Sequence, residues 1–354
     1  MKGIKKLLNE IFIEGLSGMA TGLFATLIIG TIIQQIGSFI PGTVGTSLFM
    51  MGKIAASVTG VGIGCGVAVR FKESPLVIMS AATCGMMGAF ASKILAGSVL
   101  VDGAIVYAGP GEPLGAFIAA LAGIYAGRLV SGKTKVDIII TPLVSIASGS
   151  TVGLIFGPPI SRFMVFLGEL INAATLQEPF LMGILVSVLM GMILTLPISS
   201  AALGIILNLN GLAAGAATVG CCANMVGFAV ASYKENKVNG LLAQGLGTSM
   251  LQVANIVRKP VIWLPAIIAS AILGPLSTMV FHMTNNATGS GMGTAGLVGQ
   301  ITTYQVMAAT ESPALVLVKI AFLHFILPAV IALGVSEFMR KKGWIKKGDM
   351  KLNV

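Results

Sequence analysis

The chain has 354 residues, 55% hydrophobic and only 10% charged, with a formal net charge of +10. Soluble domains carry roughly 25% charged residues, so this composition, with a mean hydropathy of +0.96, excludes an ordinary soluble enzyme. Lys and Arg gather at the termini and at the ends of apolar runs rather than in a stripe interleaved with aromatics. That pattern excludes nucleic-acid binding and reads as a membrane topology signal.

The first residues, 1–17, read as an interfacial amphipathic helix: Leu7, Leu8, Ile11, Phe12 and Leu16 fall at helical spacing, while Lys5, Asn9, Glu10 and Glu14 face the other way. Apolar runs of membrane length follow, and short alternating segments of the β-barrel kind are absent. The expected fold is therefore all-α, a polytopic integral membrane protein with about ten transmembrane helices. The candidate spans are Gly18–Ile40, Met51–Val69, Pro75–Ala96, Leu114–Val130, Asp137–Phe156, Ile160–Thr175, Pro179–Leu207, Leu212–Ser232, Val261–His282 and Pro313–Phe338. If they alternate, every basic cluster falls on one side, and both termini are cytoplasmic in a cell membrane. The residues after Phe338, 339–354, read as a cytoplasmic tail.

Two segments remain as candidate re-entrant hairpins. Residues 239–257 lie between two basic clusters and carry Gln244, Thr248, Gln252 and Asn255 on one helical face. Residues 284–310 begin "TNNATGSGMGTAGLVGQ", with five glycines and no charge. Irregular backbone at membrane depth survives only when buried in protein or lining a watery cavity. Asn and Gln side chains offer donors and an acceptor to a hydroxyl-rich neutral solute. Asn285, Asn286, Thr288, Ser290 and Gln300 are thus solute-site candidates. The formal G-x-G-x-x-G of Gly291, Gly293 and Gly296 lacks the strand–helix context of a dinucleotide site.

Four acids stand before prolines that open apolar runs: Glu73, Glu112, Glu178 and Glu311. Proline at a first helical position and an acid near the positive end of the dipole make a helix-start device, which is the reading for Glu73 and Glu112. By the expected topology Glu178 and Glu311 open spans from opposite faces. "LTLPISSAALG" and "FILPAVIALG" downstream echo each other, which hints at inverted elements. An ionisable group in the bilayer costs at least about 2.5–3.5 kcal/mol and is a functional candidate by default. Glu311 leads, followed by Glu178 with Gln177. His282 borders the glycine loop; His324, inside the last span, reads as a packing residue. The four cysteines, Cys65, Cys84, Cys221 and Cys222, lack zinc spacing and read as small packing residues. No enzyme motif, cofactor motif or metal site is present in the sequence.

About ten spans, glycine-rich re-entrant segments, the acid–proline starts and above all "HMTNNATGSGMGTAGLVGQ" followed by "ESPALVLVK" resemble the EIIC membrane components of sugar phosphotransferase systems, in their divergent branch. The resemblance implies a single EIIC-like transmembrane domain over residues 1–354 and an all-helical homodimer. It implies a sugar pocket built by hairpins in an elevator-like transport domain, with a sugar hydroxyl bonded by Glu311, or Glu178, and by His282. Phosphorylation would come from separate EIIB and EIIA proteins, since neither domain is in this chain. The "LQEP" and "ATESP" forms depart from the family's "ITEP". Some relatives of this branch are described as membrane regulators of toxin expression. A non-transporting sensor, and an ion-coupled carrier or channel for another small polar solute, therefore stand beside the sugar permease.

Overall fold

The computed structural model describes residues 2–107 and 109–352. Helices dominate, as apolar surroundings require each segment to pair its own backbone. Among the described residues six helices are individually long and apolar enough to cross a membrane, a bent pair makes a seventh, and two shorter apolar helices join them. They are α1 (Lys6–Phe39), the bent pair α2 (Gly42–Ser57) and α3 (Thr59–Arg70), α4 (Pro75–Ala89), α5 (Pro113–Val130), α6 (Asp137–Thr175), α7 (Pro179–Thr195), α9 (Gly211–Ala231), α12 (Pro260–Val280) and α14 (Pro313–Lys341). Between them lie α8 (Ser200–Ile206), α10 (Tyr233–Leu242), α11 (Val253–Arg258) and α13 (Val298–Met307). A two-residue hairpin, β1 (Leu100–Val101) with β2 (Ala104–Ile105), precedes α5.

Several expected boundaries move. Helical turns from Lys2 run unbroken into α1, so the amphipathic start and the first span are one element. Residues 42–50, read as a connection, are the first half of α2, which bends by 53° into α3. At the bend the buried Thr59 hydroxyl donates to Ala56 O at 2.7 Å. The fifth and sixth expected spans form the single helix α6, with Pro158 and Pro159 inside its 39 residues. At 1.5 Å per residue it is about 58 Å long, roughly twice a bilayer core of about 30 Å.

The chain divides into two compact units, Met1–Met164 and Val165–Asn353, with the boundary inside α6. In the first unit sequential helices pack antiparallel. Gly22 of α1 faces Gly62 of α3, Gly60 faces Gly85 of α4, and Gly88 faces Gly115 of α5; at each a Cβ would strike the partner's backbone. Close approach of this kind supplies the van der Waals contact that holds helices together in lipid. One end of the unit is closed by ion pairs. Arg128 joins Glu10 at 2.8 Å and Glu73 at 2.5 Å, its guanidinium lying over Phe71 and Tyr125, while Arg70 meets Glu14 at 2.7 Å. Glu73 is therefore held by a side chain and is not only a helix-start residue.

The second unit is built around α9, which is buried along most of its length. Ser187 of α7 faces Gly220 and Gly191 faces Asn224, so α7 and α9 run in the same direction. Gly183 faces Gly274 and Ser187 Oγ donates to Ser270 O at 2.8 Å, so α12 runs oppositely. Gly227 lies against Ala332, and Arg340 at the end of α14 donates to Ala231 O at the end of α9, making α14 parallel to α9. Thr278 donates to Pro179 O at 2.8 Å and Lys319 donates to Phe281 O at 2.9 Å. Glu178 and Glu311 thus open their helices at the same end, beside the end of α12. This corrects the expectation of opposite faces. We call this the mouth end and the opposite one the tail end.

Two parallel helices in succession need a return. The expected span Pro179–Leu207 breaks at Leu196 and Pro197, and α8 carries the chain back toward the start of α9. There Gly211 and Asn285 exchange backbone hydrogen bonds of 3.0 and 3.3 Å.

Candidate functional site

Three helical hairpins of the second unit converge on the middle of α9. The first is α7–α8. The second, α10 to α11, starts and finishes at the tail end. The third, residues 284–310, starts and finishes at the mouth end.

The glycine-rich hairpin is seated by its own polar side chains. Asn285, 1% exposed, donates to Thr218 Oγ1 at 2.8 Å and to Gly299 O at 3.2 Å. Asn286 accepts the Gly289 N–H at 3.0 Å and so caps the single turn Ala287–Ser290. Ser290 is fully buried and donates to Ala287 O, whereas Thr288 is exposed. Gly291 O accepts from Ser200 Oγ of α8 at 2.6 Å. Gly293, at φ +53°, lies where a Cβ would strike the Cys221–Cys222 backbone. Left-handed φ at both Gly296 (54°) and Leu297 (60°) turns the chain into α13. The glycines of the G-x-G-x-x-G pattern therefore serve close packing on helices and a sharp reversal.

The tail-end hairpin breaks at Thr248, whose hydroxyl accepts the Met250 N–H at 3.1 Å. Its tip meets the end of α7: Thr195 Oγ1 and Ser249 Oγ are 2.7 Å apart. The same Thr195 donates to Asn224 Oδ1, which also accepts Trp263 Nε1–H at 2.9 Å, while Asn224 Nδ2 donates to Ser270 Oγ at 3.1 Å. Residues Ala243–Gly247 pack against Ala295–Leu297, so the tips from opposite ends touch. Every side chain in this junction is uncharged. Thr195, Asn224, Ser249, Trp263 and Ser270 were not legible as site residues; single polar residues in apolar runs carry no pattern of their own.

The polar stripe of 239–257 bonds to itself and to the tail. Gln252 donates to Gln244 Oε1 at 2.8 Å, although eight residues of straight helix would separate them by about 12 Å. The fold-back brings them together onto the tail. Gln252 donates to Met350 O, Asn255 to Lys351 O, and Gln244 to Ser232 Oγ. Asn236 donates to Met350 O and accepts from Leu352 N, Lys259 meets Asp349 at 2.5 Å, and Arg340 meets Glu235 at 3.0 Å. Gln252 and Asn255 thus hold the carboxy-terminal segment, with Gln244 bracing Gln252.

The remaining candidates lie at the mouth end. Glu311 is ion-paired with Lys319 at 2.6 Å. His282 is exposed, with φ +45°, and Gln177 and Glu178 are exposed at the start of α7. Gln300, on α13, is buried and donates to Cys222 Sγ at 3.3 Å and to His324 Nδ1 at 3.0 Å.

In a comparison with curated proteins, none matches the chain. The sequence profile of the family described as "Phosphotransferase system, EIIC" matches residues 13–352. That match spans both units and all three hairpins, and with the multi-pass helical architecture it places this chain in the EIIC family of phosphotransferase systems.

Proposed function

We propose that the chain is the sugar-translocating membrane component of a phosphotransferase system, acting with separate EIIA and EIIB proteins as a homodimer in the cell membrane. The observation that carries this reading is the meeting of the uncharged tips of two hairpins from opposite ends of one helical unit. A neutral, hydrogen-bonding junction suits a hydroxyl-rich solute, and hairpins that close it from either end suit alternating access. Glu311, His282, Thr288, Gln177 and Glu178 would receive the sugar at the mouth, which faces outward. Asn285, Asn286, Ser290 and Gln300 would line the path of the glycine hairpin. Both termini are cytoplasmic in this reading, and the tail-end surface meets the phosphoryl donor.

The test is uptake of labelled sugar by vesicles supplied with phosphoenolpyruvate and the phosphotransferase proteins. Uptake is expected to need phosphoenolpyruvate and to be abolished by Glu311→Gln, which leaves Lys319 without its carboxylate. Undiminished uptake without the phosphoryl donor, or driven by an ion gradient alone, would overturn the reading in favour of an ion-coupled carrier. Saturable binding with no flux would favour a sensor.

A further inference from the structure

The contact between Gln300 and His324 has a chemical consequence. An amide nitrogen has no lone pair to offer, so Gln300 Nε2 donates and His324 Nδ1 accepts at 3.0 Å. The ring is then the neutral tautomer with its proton on Nε2. That N–H is fully buried and has no partner among the described residues, and neither has Gln300 Oε1. Thr303 stands one turn beyond Gln300 on the same face of α13. Its hydroxyl, on a residue 1% exposed, is also unpartnered. The carbonyl it would ordinarily bond, Gly299 O, already accepts from Asn285 and Thr302. A buried polar group left unpaired keeps its full desolvation cost, and most in native proteins find a partner.

His324 is also held by an irregular backbone. Residues Ala321–Ile326 form a π turn ahead of Pro328, whose missing N–H leaves the ordinary ladder incomplete. Such turns are frequent at functional sites. Together the cluster offers a donor, an acceptor and a hydroxyl that can do either. No member is cationic or anionic.

We propose that Gln300, Thr303 and His324 form a neutral subsite that binds hydroxyl groups of an unphosphorylated sugar or alditol. This deepens the permease reading and rests on it. Gln300 and Thr303 ride on the glycine hairpin, and His324 belongs to α14, so movement of the hairpin opens the subsite. The cluster holds no cation for a phosphate, so the same sugar once phosphorylated is bound weakly and leaves.

The experiment uses the purified full chain. Melting temperature and titration calorimetry are followed with a panel of aldohexoses, hexitols and the corresponding 6-phosphates, alongside the vesicle uptake assay. Binding only to the folded state raises the melting temperature. Thr303→Val is nearly isosteric and removes an unpartnered hydroxyl, so the ligand-free protein should melt no lower than wild type. Its affinity for the stabilising sugar should fall about tenfold or more, equivalent to about 1.4 kcal/mol, and Thr303→Ser should restore it. His324→Asn should weaken binding likewise. The free sugar should bind more tightly than its 6-phosphate.

Wild-type affinity in Thr303→Val overturns the subsite, and phosphoenolpyruvate-dependent uptake in the same preparation would leave the permease reading standing. Failure of every sugar and alditol to bind overturns the subsite as well. Binding lost in Thr303→Val, in a protein that moves no sugar, upholds the subsite and overturns the permease reading.

Discussion

Single residues decide how closely the hairpin approaches α9. Gly293 combines a left-handed φ of 53° with a Cβ position already occupied by the Cys221–Cys222 backbone, whereas Gly42 has φ +79° and open space around it. A left-handed conformation alone costs an L-residue about 1–2 kcal/mol. Gly42→Ala should therefore lower thermal stability slightly, and Gly293→Ala should lower it more and also reduce sugar binding. Equal losses in a melting experiment on the two variants would refute the close-packing role. At this scale the sequence was partly legible. The absence of charge over Thr284–Gln300 gave away a protein-buried loop. Asn224 went unread because its partners, Thr195, Trp263 and Ser270, lie on other helices.

Among elements, the hairpin of α10 and α11 depends on the tail it grips. Asp349 is partly buried, which opposes its ionisation, but hydrogen bonds from Lys259 and the Lys346 N–H outweigh this and hold its carboxyl below the usual value. A lowered carboxylate pKa contributes stability that is complete above the unfolded value of about 3.9 and fades as pH falls through the folded value. Asp349→Asn should remove that pH dependence, and a spin label on Lys347→Cys should show tail release in acid for wild type only. An identical acid profile in both proteins would exclude the Lys259–Asp349 pair as the pH-dependent part of the latch. The stripe of Gln244, Gln252 and Asn255 was visible in the sequence, but its target was not: tail carbonyls about a hundred positions away leave no local signal. Likewise, the tandem Pro158–Pro159 reads as an interruption, yet helices in apolar surroundings tolerate proline. The apolar run 179–207, by contrast, hides a true break at Leu196–Pro197, signalled by its excess length and by Pro197 with two serines close behind it.

For the whole molecule, these two misreadings cancel in the count. Fusing two spans into α6 removes one crossing, and folding α7 back through α8 removes another, so alternation of the remaining crossings would again put the basic clusters on one side. Only the connection at Leu176 changes side. Alternating spans would put it with the termini, whereas α6 as a single crossing puts it with the mouth. In intact cells, Leu176→Cys and Thr288→Cys should react with a membrane-impermeant thiol reagent, and Lys237→Cys should not. Protection of Leu176→Cys would restore the separate fifth and sixth spans. The direction shared by α7, α9 and α14 also has an electrical side. In the first unit neighbouring helices oppose one another and their peptide dipoles largely offset. In the second, the amino-terminal ends of α7, α9 and α14 share the mouth, each equivalent to about half a positive elementary charge. The carboxylates of Glu178 and Glu311 stand at two of those three ends, Glu311 with Lys319 beside it, so each negative charge meets the positive end of the helix it opens and the vestibule offsets part of its own field before any solute reaches it.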